Sequence, residues 1–369
     1  MTKRARLAFS ALLAGAPLLA AIAATPDVEI ARAEPARTAI GSALDAVAGT
    51  TFDCADIAAA EAAGAALWRR GVAAGAAALD DRPLYWARLR TAGTLAAGAL
   101  PTCAGAAIFE STSRGFADVQ FDDAADLRVL VTGFDPFLLD REITQSNPSG
   151  VTALALDGDR HTFARKQVQI ETVIVPVRYQ DFDDGLVETT LVPLAERLDV
   201  DLLITVSMGR SDFDLERFPG RRRSATAPDN RNVLTGANAE APLVPALGDG
   251  PLAGPEFVEF TLPIEAMLEV GGDYAVHDNR AVTTLEAGTL DAPNLEALAD
   301  QTAVRGGGGG YLSNEISYRV VNALARSGSS IRSGHIHTPR MPGYDRETVE
   351  GIVTQTEALV LSAARALLD

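Results

Sequence analysis

The sequence predicts an α/β protein, an open, mostly parallel twisted sheet with helices on both faces, preceded by a small helical extension. Two observations carry this. Apolar runs fit for buried strands, at 127–132, 168–177, 202–206 and 332–338, alternate with stretches of helical periodicity. Between residues 34 and 107 the chain is instead rich in alanine and other helix formers.

From its start, the chain opens with MTKRAR and an apolar run, LAFSALLAGAPLLAAIAA, carrying small residues at Ala21, Ala23 and Ala24. This pattern suits an export signal over residues 1–24, removed by cleavage. Pro17 and the marginal length make a retained anchor the weaker reading. The mature protein is therefore expected to be exported, periplasmic or extracellular, with no membrane contact after signal removal. Residues 25–126 are expected to form the helical extension. Helices over 57–79 and 83–100 would bury Trp68, Tyr85, Trp86 and Leu89 between them, in a packing role. The two cysteines, Cys54 and Cys103, read as one disulfide in an oxidising compartment. Residues 109–127 look like an acidic connector.

The α/β domain is expected over 127–369. Its strands are placed at 127–132, 168–177, 202–206, 256–262, near 274–276 and at 332–338, with helices at 182–198 and 346–368. One further stretch organises the rest. Five glycines end at Gly310, and Tyr311 and Leu312 lead to Ser313. Ile316, Val320 and Leu324 then recur at helical spacing, and Gly328 suits a helix end. A hydroxyl at a helix start sits among free N–H groups, and His337 on the next strand can return beside it. Read alone, the stretch favours a capping serine.

Charge and motif content narrow the function. A net charge of −17 argues against nucleic acid or anionic lipid as partner. The run 306–310 lacks the Gly-Lys-Ser/Thr ending of a phosphate loop, so no nucleotide cofactor is expected. His335 and His337 alternate on one strand without further metal ligands at suitable spacing, and His161 and His277 have no motif context. No cofactor or metal is expected. The run Arg221-Arg222-Arg223 reads as a solvated loop.

Five segments then agree with one another. They are VLVTGFDPF from Val129 with Asn147-Pro148-Ser149, Arg210 with Glu216-Arg217 and Pro228-Asp229-Asn230, LPIEAM from Leu262, GYLSN from Gly310, and GHIHTPRMP from Gly334. In this order they resemble type I pyroglutamyl peptidase, also called pyrrolidone-carboxylate peptidase, over residues 127 to the C-terminus. The resemblance implies a hydrolase acting on an N-terminal pyroglutamyl or similar small amide of a small peptide. It places the catalytic roles on Ser313, His337 and Glu216, and substrate contacts on Phe134, Phe137, Arg210, Tyr311 and Leu312. The family nucleophile is a cysteine, and here it is Ser313. Pro219-Gly220-Arg221 replaces the family's Ala-x-Asn, and 235–254 and 274–305 are longer than the compact form. Serine would spare an exported enzyme thiol oxidation, but depends wholly on the histidine base. A catalytically inactive homologue that binds capped peptides or lactams is the alternative.

Overall fold

The computed structural model describes residues 27–41, 47, 50–98 and 104–368. The expected signal peptide lies outside them, as does the Cys103 end of the expected disulfide. Among the described residues, no helix is long and apolar enough to cross a membrane.

The chain starts with α1 (Val28–Ala31), α2 (Ala33–Ile40), α3 (Ile57–Ala78), α4 (Arg82–Gly98) and α5 (Ala104–Thr112). Asp56 caps α3 by accepting the Ala59 N–H at 3.0 Å. There follow β1 (Leu127–Phe134), α6 (Pro148–Leu156), β2 (Arg160–Phe163), β3 (Lys166–Val175), α7 (Tyr179–Asp183), α8 (Val192–Arg197), β4 (Leu202–Met208) and β5 (Phe213–Glu216). Short pairs β6 (Ala246–Leu247) and β7 (Gly250–Pro251) precede α9 (Ile264–Leu268), β8 (Val276–Asn279), β9 (Ala281–Thr284), β10 (Gly288–Asp291) and β11 (Ala303–Arg305). The chain closes with α10 (Leu312–Ser327), β12 (Arg332–Thr338) and α11 (Arg346–Arg365).

The main sheet has seven strands in the order β2-β3-β1-β4-β12-β5-β8. Its centre, β3-β1-β4-β12, is parallel, and β5 enters antiparallel to β12. Because side chains alternate across a strand, β1 feeds two cores. Val129 and Val131 join Met267, Ile352 and Leu359 on the α9/α11 side. Leu130 joins Leu194, Ile316, Val320 and Leu324 on the α8/α10 side. Helices thus cover both faces, as the alternating pattern predicts. Each of those buried aliphatics contributes on the order of 1.5–3 kcal/mol.

The extension packs directly on the sheet domain. Trp68 and Leu67 of α3 share a core with Ala153 and Leu154 of α6 and Ile174 of β3. Tyr85, Trp86 and Leu89 pack instead against Ala33, Ala36 and Leu139. All four of the predicted buried residues are buried: Trp68 shares its core with Leu84 and Ala87 of α4, as expected, whereas Tyr85, Trp86 and Leu89 turn away from α3.

Four local expectations are corrected. Residues 256–262 form no strand: the segment is stitched by single bonds, Val258 N to Pro219 O and Thr261 N to Ser333 O. The helix expected at 182–198 is broken at Gly185, which takes φ 89°, and passes through a π-helical turn, Leu186–Leu191, before α8. Phe109 belongs to the last turns of α5 rather than to a connector. Arg223 is buried, paired with Asp183 (2.8 Å) and Glu315 (2.5 Å), while Arg221 and Arg222 both pair with Glu256. The arginine run ties its loop to α7, α10 and Glu256, and is not a solvated stretch.

Candidate active site

His337 is delivered by β12, whose parallel register with β4 sets His335 beside Thr205 and His337 beside Ser207. On its other edge β12 meets β5 antiparallel, with Ile336 opposite Leu215, which puts Glu216 level with His335. Opposite residues share a face, so Glu216 and His337 lie diagonally on the same side of the sheet. The Glu216 carboxylate reaches across: Oε1 lies 2.5 Å from His337 Nδ1, with Glu216 fully buried and His337 nearly so. An ionised carboxylate only accepts, so Nδ1 carries the proton and Nε2 keeps a lone pair.

Glu216 is held from its other oxygen. Asn279 Nδ2 donates to Oε2 at 2.6 Å and lies 3.2 Å from Gly307 O. Arg217, the second residue of the Glu-Arg pair, grips Asp278 through two bonds of 3.0 and 2.9 Å, fixing β8 so that Asn279 faces the carboxylate. The glycines before the helix answer a packing need. A Cβ on Gly307 would come within 2.6 Å of Glu216 Oε2, and one on Gly310 within 2.1 Å of Ser224 Oγ. Likewise a Cβ on Gly209 would meet the His337 side chain at 2.7 Å.

His335 supports its neighbour. Its ring stands edge-on to His337 with centroids 4.9 Å apart. Thr205 Oγ1 lies 2.8 Å from Nδ1 and Ser207 Oγ 2.7 Å from Nε2. Since Thr205 donates to Gly334 O, the ring is left donating from Nδ1 and accepting at Nε2. Complete burial holds its pKa well below the usual histidine range, with the neighbouring His337 adding to the effect.

Ser313 occupies the second position of α10, and the cap residue is Tyr311, with no side-chain cap bond. Serine as helix cap is therefore corrected. Asn314 anchors this end instead: its side chain accepts from Gly220 N (2.8 Å) and donates to Gly220 O (2.7 Å). The loop Pro219-Gly220-Arg221 is thereby seated on the helix start. Ser313 Oγ forms no hydrogen bond with His337. The serine opens instead on a small cavity of about 20 Å³ lined by Phe134, Phe137, Val177, Ser207, Tyr311 and Leu312, among others. Such a volume holds roughly one water.

The structure thus brings Phe134, Phe137, Tyr311, Leu312 and Ser313 to one pocket and Glu216 to His337. Arg210 stands apart, two-thirds exposed and paired with Asp214 at 2.9 Å rather than with Glu216. Pocket walls are pinned from several sides. Phe134 N donates to Ser149 Oγ at 3.1 Å, and Asn230 Nδ2 donates to Pro136 O at 2.8 Å. Tyr311 Oη donates to Pro228 O at 2.9 Å. The Asn-Pro-Ser and Pro-Asp-Asn segments are loop fasteners. Sequence reasoning missed Asn279, which has no motif of its own. It also missed Thr205 and Ser207, although two hydroxyls alternating in an otherwise apolar strand were a readable signal.

The extension reaches the same loops. Arg32 donates to Asn230 O at 2.5 Å, and Tyr85 Oη donates to Glu29 and accepts from Asn230 Nδ2 at 3.3 Å. Glu29 in turn takes the Arg178 guanidinium at 2.6 Å.

The family model described as PA0049, C-terminal domain, matches residues 128–257 and 273–342. An uncharacterised protein, PA0049 of Pseudomonas aeruginosa, is 29% identical, over 76% of this chain and 69% of its own length. A pyrrolidone-carboxylate peptidase of Pseudomonas fluorescens is 30% identical, over 65% of this chain and 94% of its own. Among solved structures, pyrrolidone carboxyl peptidase of Pyrococcus furiosus is 21% identical, covering 65% of this chain and 100% of that one at a TM-score of 0.43. Matched over more than half its length, the chain belongs to the PA0049 C-terminal-domain family and is a homologue of the pyrrolidone-carboxylate peptidases.

Proposed function

We propose that this protein is an exported hydrolase that removes an N-terminal pyroglutamyl group, or a similar small amide, from a short peptide. Ser313 Oγ attacks the carbonyl carbon of the scissile amide while His337 Nε2 takes the hydroxyl proton. Glu216 keeps the ring in the Nδ1–H tautomer and balances the imidazolium that forms. The protonated Nε2 then gives its proton to the leaving amine. Water, deprotonated by the same nitrogen, hydrolyses the acyl-serine. Phe134, Phe137, Tyr311 and Leu312 would flank the acyl group, which requires their small cavity to widen on binding.

One observation carries the reading: the 2.5 Å contact between His337 and a fully buried Glu216, arranged to leave Nε2 as the base. The homology to pyrrolidone-carboxylate peptidases supports the substrate class. The experiment is release of a reporter amine from a pyroglutamyl substrate by the purified protein. Ser313→Ala should lower kcat by at least about 1,000-fold. Unchanged turnover in that variant rules the serine out.

A second reading, an inactive homologue that binds capped peptides or lactams, is favoured by the absence of a hydrogen bond between Ser313 and His337. Ser313→Cys separates the two. Wild-type silence with turnover gained in the cysteine variant identifies an intact site lacking only its nucleophile. Ligand-induced thermal stabilisation without turnover in either protein identifies a binding protein.

A further inference from the structure

A second cavity, about 350 Å³, begins where the small pocket ends. The backbone from Gly306 to Ser313 divides them: Tyr311, Leu312 and Ser313 face the apolar pocket, and four of the preceding five glycines line the groove. Asn279, which holds Glu216, lines the groove as well. Its far wall is the three-stranded sheet β10-β9-β11, contributing Thr289, Thr283 and Arg305. That wall lies within the stretch where the chain is longer than the compact family form.

The charge of this wall is unusual for the chain. The protein carries 49 acidic against 32 basic residues, yet the groove is lined by two arginines and no carboxylate. Arg210 is already paired with Asp214. Arg305 is exposed and forms no ion pair among the described residues. Beside it stand hydroxyls able to donate: Ser224, and Thr283 and Thr289, whose oxygens are 3.0 Å apart. A guanidinium flanked by hydroxyls recognises oxyanions.

We infer that this groove is the subsite for the peptide that leaves on cleavage, and that Arg305 selects a carboxylate on it. The inference rests on the hydrolase reading and names the leaving group: a residue with a free C-terminal carboxylate or an acidic side chain. On a strongly negative protein, a basic patch of this kind is where an approaching anion is attracted.

The test reads binding separately from turnover. Ser313→Ala protein is titrated calorimetrically at low salt with pyroglutamyl-alanine, pyroglutamyl-glutamate amide and pyroglutamyl-alanine amide. One or both acidic peptides should bind about five- to tenfold more tightly than the neutral amide, and the pair that differs shows which carboxylate is read. The ratio should fall towards one in Ser313→Ala/Arg305→Ala and be partly kept with Arg305→Lys. It should also shrink at high salt. Equal affinities, no binding of any peptide, or a ratio that survives Arg305→Ala overturns the inference. Charge-selective binding with no hydrolysis by the wild type leaves the subsite standing and removes the hydrolase reading instead.

Discussion

Asn279 donates to Glu216 on the carboxylate oxygen that His337 does not use, at 2.6 Å. That bond fixes the rotation of the carboxylate, and with it the plane of the imidazole. Asn279→Ala should therefore leave the fold intact and lower kcat on a pyroglutamyl reporter by about 10- to 100-fold, with KM little changed, because only the orientation of the base is loosened. Steady-state kinetics check this. A change confined to KM would show that Asn279 acts on the substrate rather than on Glu216.

A buried ion cluster around Asp135 yields a stability prediction. Arg88 donates to Asp135 Oδ1 at 2.9 Å, and Arg114 lies 2.8 Å from Oδ2, off the hydrogen-bonding direction. All three side chains are almost fully buried. Asp135→Asn keeps the shape and strands the Arg88 guanidinium without its counter-charge, while Arg114 keeps Glu110. It should destabilise the fold by about 3–5 kcal/mol, read as a lowered urea midpoint. A loss below about 1 kcal/mol would mean that Glu110, 2.7 Å from Arg114, already neutralises the cluster.

How far the sequence carries follows from what kind of interaction each feature needs. Strand and helix positions such as Arg332–Thr338 and α10 are set by periodicity, which is local, and they are readable. The Glu216–His337 pair is readable because the Glu-Arg and His motifs occur together in one resemblance. Asn279 and Arg223 are not, since each acts on a partner 63 or 92 residues away and neither has a local pattern. The break at Gly185 is likewise hidden: apolar residues continue through it, and Val187 and Leu191 of the π-helical turn are buried in the same core as Ile316 of α10.

His335 gives the site a pH signature of one sign. Its pKa is held well below the ordinary histidine value by burial, so below about pH 6.5 the unfolded chain binds a proton that the folded one refuses. Stability contributed by this residue is thus lost as pH falls through about 6.5, by at most ~1.4 kcal/mol per pH unit. His335→Asn should be less stable at pH 7, by about 1–3 kcal/mol, because Thr205 and Ser207 lose partners. Between pH 7 and 5 the variant should have a flatter urea-midpoint profile than the wild type. Parallel profiles would show that another group carries the dependence.

Asp81 should produce the opposite sign. It is buried at the junction of the extension with α6, accepting from Ser146 Oγ at 2.6 Å and Asn147 N at 3.1 Å. Burial, with Asp80 beside it, pushes its pKa up to about 8, against 3.8 for an ordinary aspartate. Over that interval the folded state holds a proton that the unfolded chain has released, so stability falls as pH rises from about 4 towards 8. Asp81→Asn is uncharged at every pH and keeps an oxygen for one of the two donors. Its stability relative to wild type should rise steadily from pH 5 to pH 8, by up to ~1.4 kcal/mol per pH unit. Denaturation at pH 5, 6.5 and 8 decides the matter, and a constant difference between the two proteins would mean that Asp81 is ionised throughout.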